Sequence, residues 1–199
     1  MLIGIFLGQY CINALTWFFI SWFPSYLVKG LGLTVLAAGF MAVLPAFLGL
    51  LGSLSSGLFS DWLLRRGMSL TLARKLPITL GLLVTNIMIA CIYLHSNLLI
   101  TLAMSVALFG KGISSGMVWT LIADAAPRRM TGLTGGISNA FANLAGVVTP
   151  VVIGYILAAT GSFNGVLIYV CAHSLGGLAS YWLLMGRLKR LELPDAAAA

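Results

Sequence analysis

Charge is scarce in this sequence, and acids most of all. Four of the 199 residues are Asp or Glu, and charged residues together make up 8% of the chain, where a soluble domain carries roughly a quarter. Residues 1–28, 30–60, 76–110 and 130–186 contain no charged side chain. Core helices of soluble proteins average about 11–12 residues and present a polar outer face, so runs of this length exclude a water-soluble fold. Cysteine is sparse as well: Cys11, Cys91 and Cys171 fall in separate apolar runs. Without metal-ligand spacing or a framework of pairs, they read as buried free thiols. Residues after Met1 are apolar at once, with no charged leader, so the first run reads as a membrane span rather than a secretory signal. Catalytic constellations are missing too. There is no Gly-rich phosphate loop, no His/Cys/Asp cluster and no carboxylate pair in a span, so neither an enzyme nor a bound cofactor or metal is expected.

The net charge of +7 raises nucleic acid as a partner, but such a partner requires the cations on one wet surface. Here they sit in short connections between apolar runs, so no nucleic-acid partner is expected and the lipid bilayer is.

What the chain has in abundance is apolar sequence, 60% of its residues. The apolar runs cover 3–27, 35–59, 77–95, 98–122, 134–159 and 163–186, each near or above the roughly 20 residues a helix needs to cross a bilayer. A membrane barrel shows shorter segments of alternating polarity, which do not occur here. The pattern predicts an all-α membrane protein: a six-helix transmembrane bundle over residues 1–191 and a cytoplasmic tail at 192–199. Connections after the second, fourth and sixth runs carry Arg65, Arg66, Arg74, Lys75, Arg128, Arg129, Arg187, Lys189 and Arg190, whereas the other side carries only Lys29. The positive-inside rule then puts both termini in the cytoplasm. Small residues four apart (Gly4 and Gly8, Ser53 and Gly57, Gly112 and Gly116, Gly132 and Gly136) predict close helix approach. Pro45 and Pro150 fall mid-helix and predict kinks, while Pro77 reads as a first-turn proline.

Lys111 is the one cation inside a span. It lies about 13 residues, roughly 20 Å, from Asp124, which is near the midplane. A charge there costs several kcal/mol and marks a functional site by default. Ser115 and Trp119 follow at i+4 and i+8 on one helix face, and a cation, a hydroxyl and an indole N–H on one stripe suit an anionic, hydroxylated ligand. Gln9 and Asn13, followed by Trp17, repeat that spacing in the first run, and Asn139 and Asn143 lie one turn apart in the fifth. Amides in a membrane face either a wet cavity or a partner helix. His173 reads as a packing residue and His95 as solvated. Asp61 with Arg65 and Arg66, and Asp124 with Arg128, form two charge clusters at the basic ends, which read either as a conformational latch or as ordinary helix-end charges.

The segment Gly57, Asp61, Arg65-Arg66-Gly67 resembles the second copy of the loop signature of the major facilitator superfamily, without the usual basic residue directly after the acid. Four further stretches resemble the anion:cation symporter family and, within it, the sugar-acid permeases for glucarate, galactarate and galactonate. They are Ser21-Trp22-Phe23-Pro24-Ser25-Tyr26-Leu27-Val28, Ser69-Leu70-Thr71-Leu72-Ala73-Arg74-Lys75, Phe109-Gly110-Lys111-Gly112 and Gly132-Leu133-Thr134-Gly135-Gly136. The resemblance covers residues 2–191. It implies a twelve-helix bacterial inner-membrane permease that cycles by alternating access with proton symport, of which this chain aligns with helices seven to twelve, the C-terminal half. It further implies that Ser115, Trp119 and Asn139 contact a sugar-acid anion, with Lys111 matching glucarate-like members. The proton-coupling carboxylates of that family lie in the N-terminal six-helix half, so such a half is the expected partner. A non-transporting relic, an accessory membrane subunit and a homodimer of six-helix units remain open on the residues alone.

Overall fold

A computed structural model describes residues 1–192; the expected tail at 192–199 therefore lies, from residue 193, outside the described residues. Six helices are long and apolar enough to cross a membrane: α1 (Leu2–Gly30), α2 (Val35–Arg65), α3 (Leu70–Ile92), α4 (Asn97–Ala125), α5 (Arg128–Thr160) and α6 (Asn164–Leu184). No strand occurs among the described residues. In lipid each backbone amide needs a partner within its own helix, which is why near-continuous apolar runs give helices and little else. The all-α class and the count of six spans follow the sequence expectation.

Boundaries at the basic end differ from that expectation. The third helix begins at Leu70, where the Ser69 hydroxyl accepts the Leu72 amide at 3.4 Å. Arg74 and Lys75 thus belong to the helix rather than to a loop, and Pro77 is an interior residue, not a first-turn proline. Local compensation is the reason. Arg74 is held by carboxylates, and the Lys75 ammonium lies 5.2 Å from the Trp182 ring centre. An interior proline strips the carbonyl four residues back of its helical donor, and here the Ser60 hydroxyl of α2 donates to the Ala73 carbonyl at 2.8 Å. The helices α2 and α4 also run on to Arg65 and Ala125, so Asp61 and Asp124 sit on helical final turns.

Helix α5 is interrupted at Leu144, between segments Thr131–Asn143 and Ala145–Thr160, and the second segment continues through Pro150. The Asn143 side chain donates to the Asn139 carbonyl at 2.8 Å, competing with the backbone for that acceptor. The Leu144 amide turns to the Phe141 carbonyl at 3.2 Å instead. The break in the helix thus falls at Leu144, directly after Asn143, while Pro150 lies within a continuous segment. Helix α1 ends in two wide turns with i→i−5 bonding, Phe18–Trp22 and Tyr26–Gly30, flanking Pro24.

Helix α4 is the hub, with α2 packed along one side and α3 along the other. Glycines permit both approaches: a methyl group at Gly112 would strike the Gly49 carbonyl of α2, and one at Gly110 the Gly81 carbonyl of α3. Helix α1 packs likewise on α6, where side chains at Gly4 and Gly8 would meet the Met185 backbone and the Tyr181 ring. Two of the four small-residue pairs therefore serve close packing as expected. Gly57, Gly132 and Gly136, by contrast, meet nothing within 4 Å. Since lipid tails are as apolar as leucine, these contacts rather than a hydrophobic effect hold the helices together. The last described stretch returns to the start of the chain at the basic end: the Leu191 amide donates to the Ala125 carbonyl at 2.9 Å, and the Lys189 amide approaches the Met1 sulfur at 3.4 Å.

Candidate functional site

Lys111 stands at the centre of α4, equally far from Asn97 and Ala125. The neighbouring faces of that helix are taken, since Gly112 and Gly116 abut α2 while Gly110 and Ser114 abut α3. The stripe of Lys111, Ser115 and Trp119 is left between those contacts. Among the described residues the Lys111 ammonium has no hydrogen-bond or ion-pair partner, and Ser115 donates only to the Gly112 carbonyl of its own helix, at 3.1 Å. A half-buried ammonium and a hydroxyl with free acceptor capacity are thus presented along one face.

Trp119 and Asn139 meet in a pocket of about 390 Å³ between the last turns of α4 and the first turns of α5, floored by Gly132, Gly135 and Gly136. Gly135 makes room for the indole: a Cβ there would sit 3.3 Å from the Trp119 ring. Lys111 and Ser115 do not line this pocket; they continue the same helix face toward the midplane. The Gln9 side chain is buried and accepts from the Ser138 hydroxyl, so it ties α1 to α5 at the residue before Asn139 rather than offering itself to a ligand. Asn13 is half-buried and without a partner among the described residues. Asn143 donates to the Asn139 side-chain oxygen at 3.2 Å, which fixes the outward orientation of that amide.

At the basic end, charges are organised by a residue outside the two expected clusters. Arg74 of α3 donates through Nε to Asp124 at 2.9 Å and through a terminal nitrogen to the Ser60 hydroxyl at 2.7 Å, with Asp61 at 3.7 Å. One buried guanidinium thereby joins α2, α3 and α4. Among the described residues Arg65, Arg66 and Arg128 make no ion pair, and Arg66 lies over the Trp62 ring at 4.9 Å.

The sequence pattern of the Major Facilitator Superfamily matches residues 1–150 of the chain. The chain belongs to the Major Facilitator Superfamily. Relatives within it are transporters, not enzymes. The probable galactarate/D-glucarate transporter GudP of Escherichia coli strain K12 is 50% identical over 99% of this chain and 44% of its own length. The namesake of Bacillus subtilis strain 168 is 48% identical over 97% of the chain and 42% of its own length. A D-galactonate transporter of Escherichia coli O6:H1 is 42% identical over 96% of the chain and 44% of its own length. The chain thus spans less than half the length of the curated relatives it matches.

For a Major Facilitator chain, the feature missed by sequence reasoning is Arg74. Its signal was present, because Asp61 sits on a helix C-terminus where the macrodipole disfavours an acid and so calls for a cation. Assigning Arg74 to a loop hid the answer. Ser138 was equally hidden, since a serine one residue before an asparagine has no periodic signature of its own.

Proposed function

We propose that this chain is the C-terminal six-helix half of a secondary transporter for sugar-acid anions of the glucarate and galactarate type. In this reading it works by alternating access together with an N-terminal six-helix half. The observation that carries the reading is Lys111, without a partner among the described residues, at mid-depth of α4 on the same helix face as Trp119 of the Trp119 and Asn139 pocket, in a chain whose relatives at 46–50% identity bear galactarate/D-glucarate names. Lys111 faces one carboxylate of the substrate. Ser115, Trp119 and Asn139 hydrogen-bond its hydroxyls, Asn13 borders the path, and Gln9 positions Asn139 through Ser138.

Proton symport belongs to the same proposal. The acids of the described spans, Asp61 and Asp124, lie at helix ends and are engaged with Arg74, so the coupling carboxylates are placed in the partner half. In the same reading that end faces the cytoplasm of a bacterial inner membrane, with both termini there, and the nine cations gathered at it support this orientation. The latch expected from Asp61, Arg65, Arg66, Asp124 and Arg128 is centred on Arg74 in this reading.

Uptake of radiolabelled glucarate into a permease-deficient bacterial strain tests the proposal. Uptake is expected when the chain is co-expressed with a matching N-terminal half and not with the chain alone. Uptake by the chain alone would overturn the need for a partner, and no uptake in either case despite membrane insertion would favour an accessory or relic role. Retained glucarate affinity in a Lys111→Ala version of the active assembly would sink the role given to Lys111.

A further inference from the structure

A different pocket, with basic residues in its lining, lies away from that face, where the N-terminus of α3 meets the C-terminal end of α6. Its volume is about 390 Å³, and Ser69, Thr71, Lys75, Trp182 and Arg187 line it. Lys75 is only 4% exposed. Among the described residues its ammonium has neither a hydrogen-bond acceptor nor a carboxylate partner, only the Trp182 ring at 5.2 Å. That ring is fixed in turn, because its indole N–H donates to the Thr79 hydroxyl at 2.9 Å. An ammonium drawn largely out of water is costly without an anion, and none is at hand among the described residues: Asp61 and Asp124 are engaged with Arg74, and Glu192 does not line the pocket. Arg187 adds a second positive charge at the rim, and the N-terminal amides of α3 add the positive end of a long helix.

We infer that this pocket holds the phosphate of an anionic phospholipid. Three observations select a lipid over a free anion. The site lies at the basic end of the bundle, at the level where α3 begins and α6 ends, which is headgroup depth for spans of this length. Apolar side chains flank it outward, with Leu72, Leu183 and Leu184 at 39%, 79% and 51% exposure, a surface for acyl chains. Trp182 at the boundary is the residue type that settles at the membrane interface. Basic pockets between transmembrane helices are suited to anionic headgroups, and this one is distinct from the proposed substrate face on α4 and α5.

The test uses the chain in phosphatidylcholine nanodiscs doped with lipids carrying brominated acyl chains, which quench nearby indoles. The Trp182 signal is isolated by subtracting the Trp182→Phe variant. Brominated phosphatidylglycerol is expected to quench Trp182 in preference to brominated phosphatidylcholine, by about fivefold per pocket cation and so roughly twenty-fivefold in all. Arg187→Gln, an exposed position where folding is not at issue, removes about one such factor. Lys75→Arg keeps the preference, and Arg129→Gln, at the same end but outside the pocket, leaves it unchanged. Equal quenching by the two headgroups would overturn the site. Loss of the preference on adding millimolar inorganic phosphate would overturn the lipid assignment and leave a free-anion site. Neither result bears on glucarate uptake, so the two proposals fail separately.

Discussion

Single side chains carry the basic end of the molecule, and Arg74 carries most of it. Its guanidinium serves Asp124, Asp61 and Ser60 from three helices, so Arg74→Ala leaves two carboxylates facing each other without a cation. Removing one partner of a largely buried pair costs roughly 3 kcal/mol or more, and a fall in the detergent-solubilised unfolding midpoint is the expected reading. Ser60→Ala is milder but informative. It strips Arg74 of an acceptor and leaves the Ala73 carbonyl, already deprived of its helical donor by Pro77, without any partner, a loss of about 1–3 kcal/mol. A Ser60→Ala, Pro77→Ala double variant should recover part of that loss, because residue 77 can then donate to Ala73 itself. No recovery would mean that Ser60 acts through Arg74 alone. At this scale the sequence was only partly legible. Lys111 stood out because a lone cation in an apolar run has no local explanation, whereas Arg74 looked like an ordinary loop cation until the helix boundary was known.

Helices were legible as elements because apolar length alone specifies them in lipid; what the sequence blurred was where they start, stop and touch. The run read from residue 77 starts at Leu70 because Arg74 and Lys75 are compensated by side chains from other helices, which no local pattern reveals. Glycine spacing shows the same limit. Gly112 and Gly132 look alike in sequence, yet a methyl group at Gly112 would strike the Gly49 backbone, while one at Gly132 meets nothing within 4 Å. Gly112→Ala should therefore force α2 away from α4 and destabilise the bundle by about 1–3 kcal/mol, as overpacking does. Gly132→Ala should leave unfolding unchanged or raise the midpoint slightly through helix propensity. Comparing the two midpoints checks the assignment, and equal effects would contradict the packing described for α2 and α4.

For the molecule as a whole, the informative quantity is how unevenly its helices are covered. Only 17% of the most apolar stretch of α2 is buried within the chain, and 22% of that of α5, against 50% for α1. On α2 the exposed side chains Leu36, Phe40, Val43, Phe47, Leu50, Leu54 and Leu58 form one stripe at helical spacing, with the open glycines Gly39 and Gly57 along its edge. Lipid can solvate leucine and phenylalanine as well as protein can, so apolarity by itself does not say what covers this stripe. Open glycines bear on the question, because small residues are what let another backbone come close, and the chain spans only 44% of its Escherichia coli relative. If the stripe receives the proposed N-terminal half, Gly57→Trp should leave the unfolding of this chain alone unchanged, since nothing within it approaches that Cβ. The same substitution should abolish glucarate uptake when both halves are present, and Gly57→Ala should reduce it less. Full uptake by the tryptophan variant would put this flank of α2 against lipid and move the contact between the halves to the exposed face of α5.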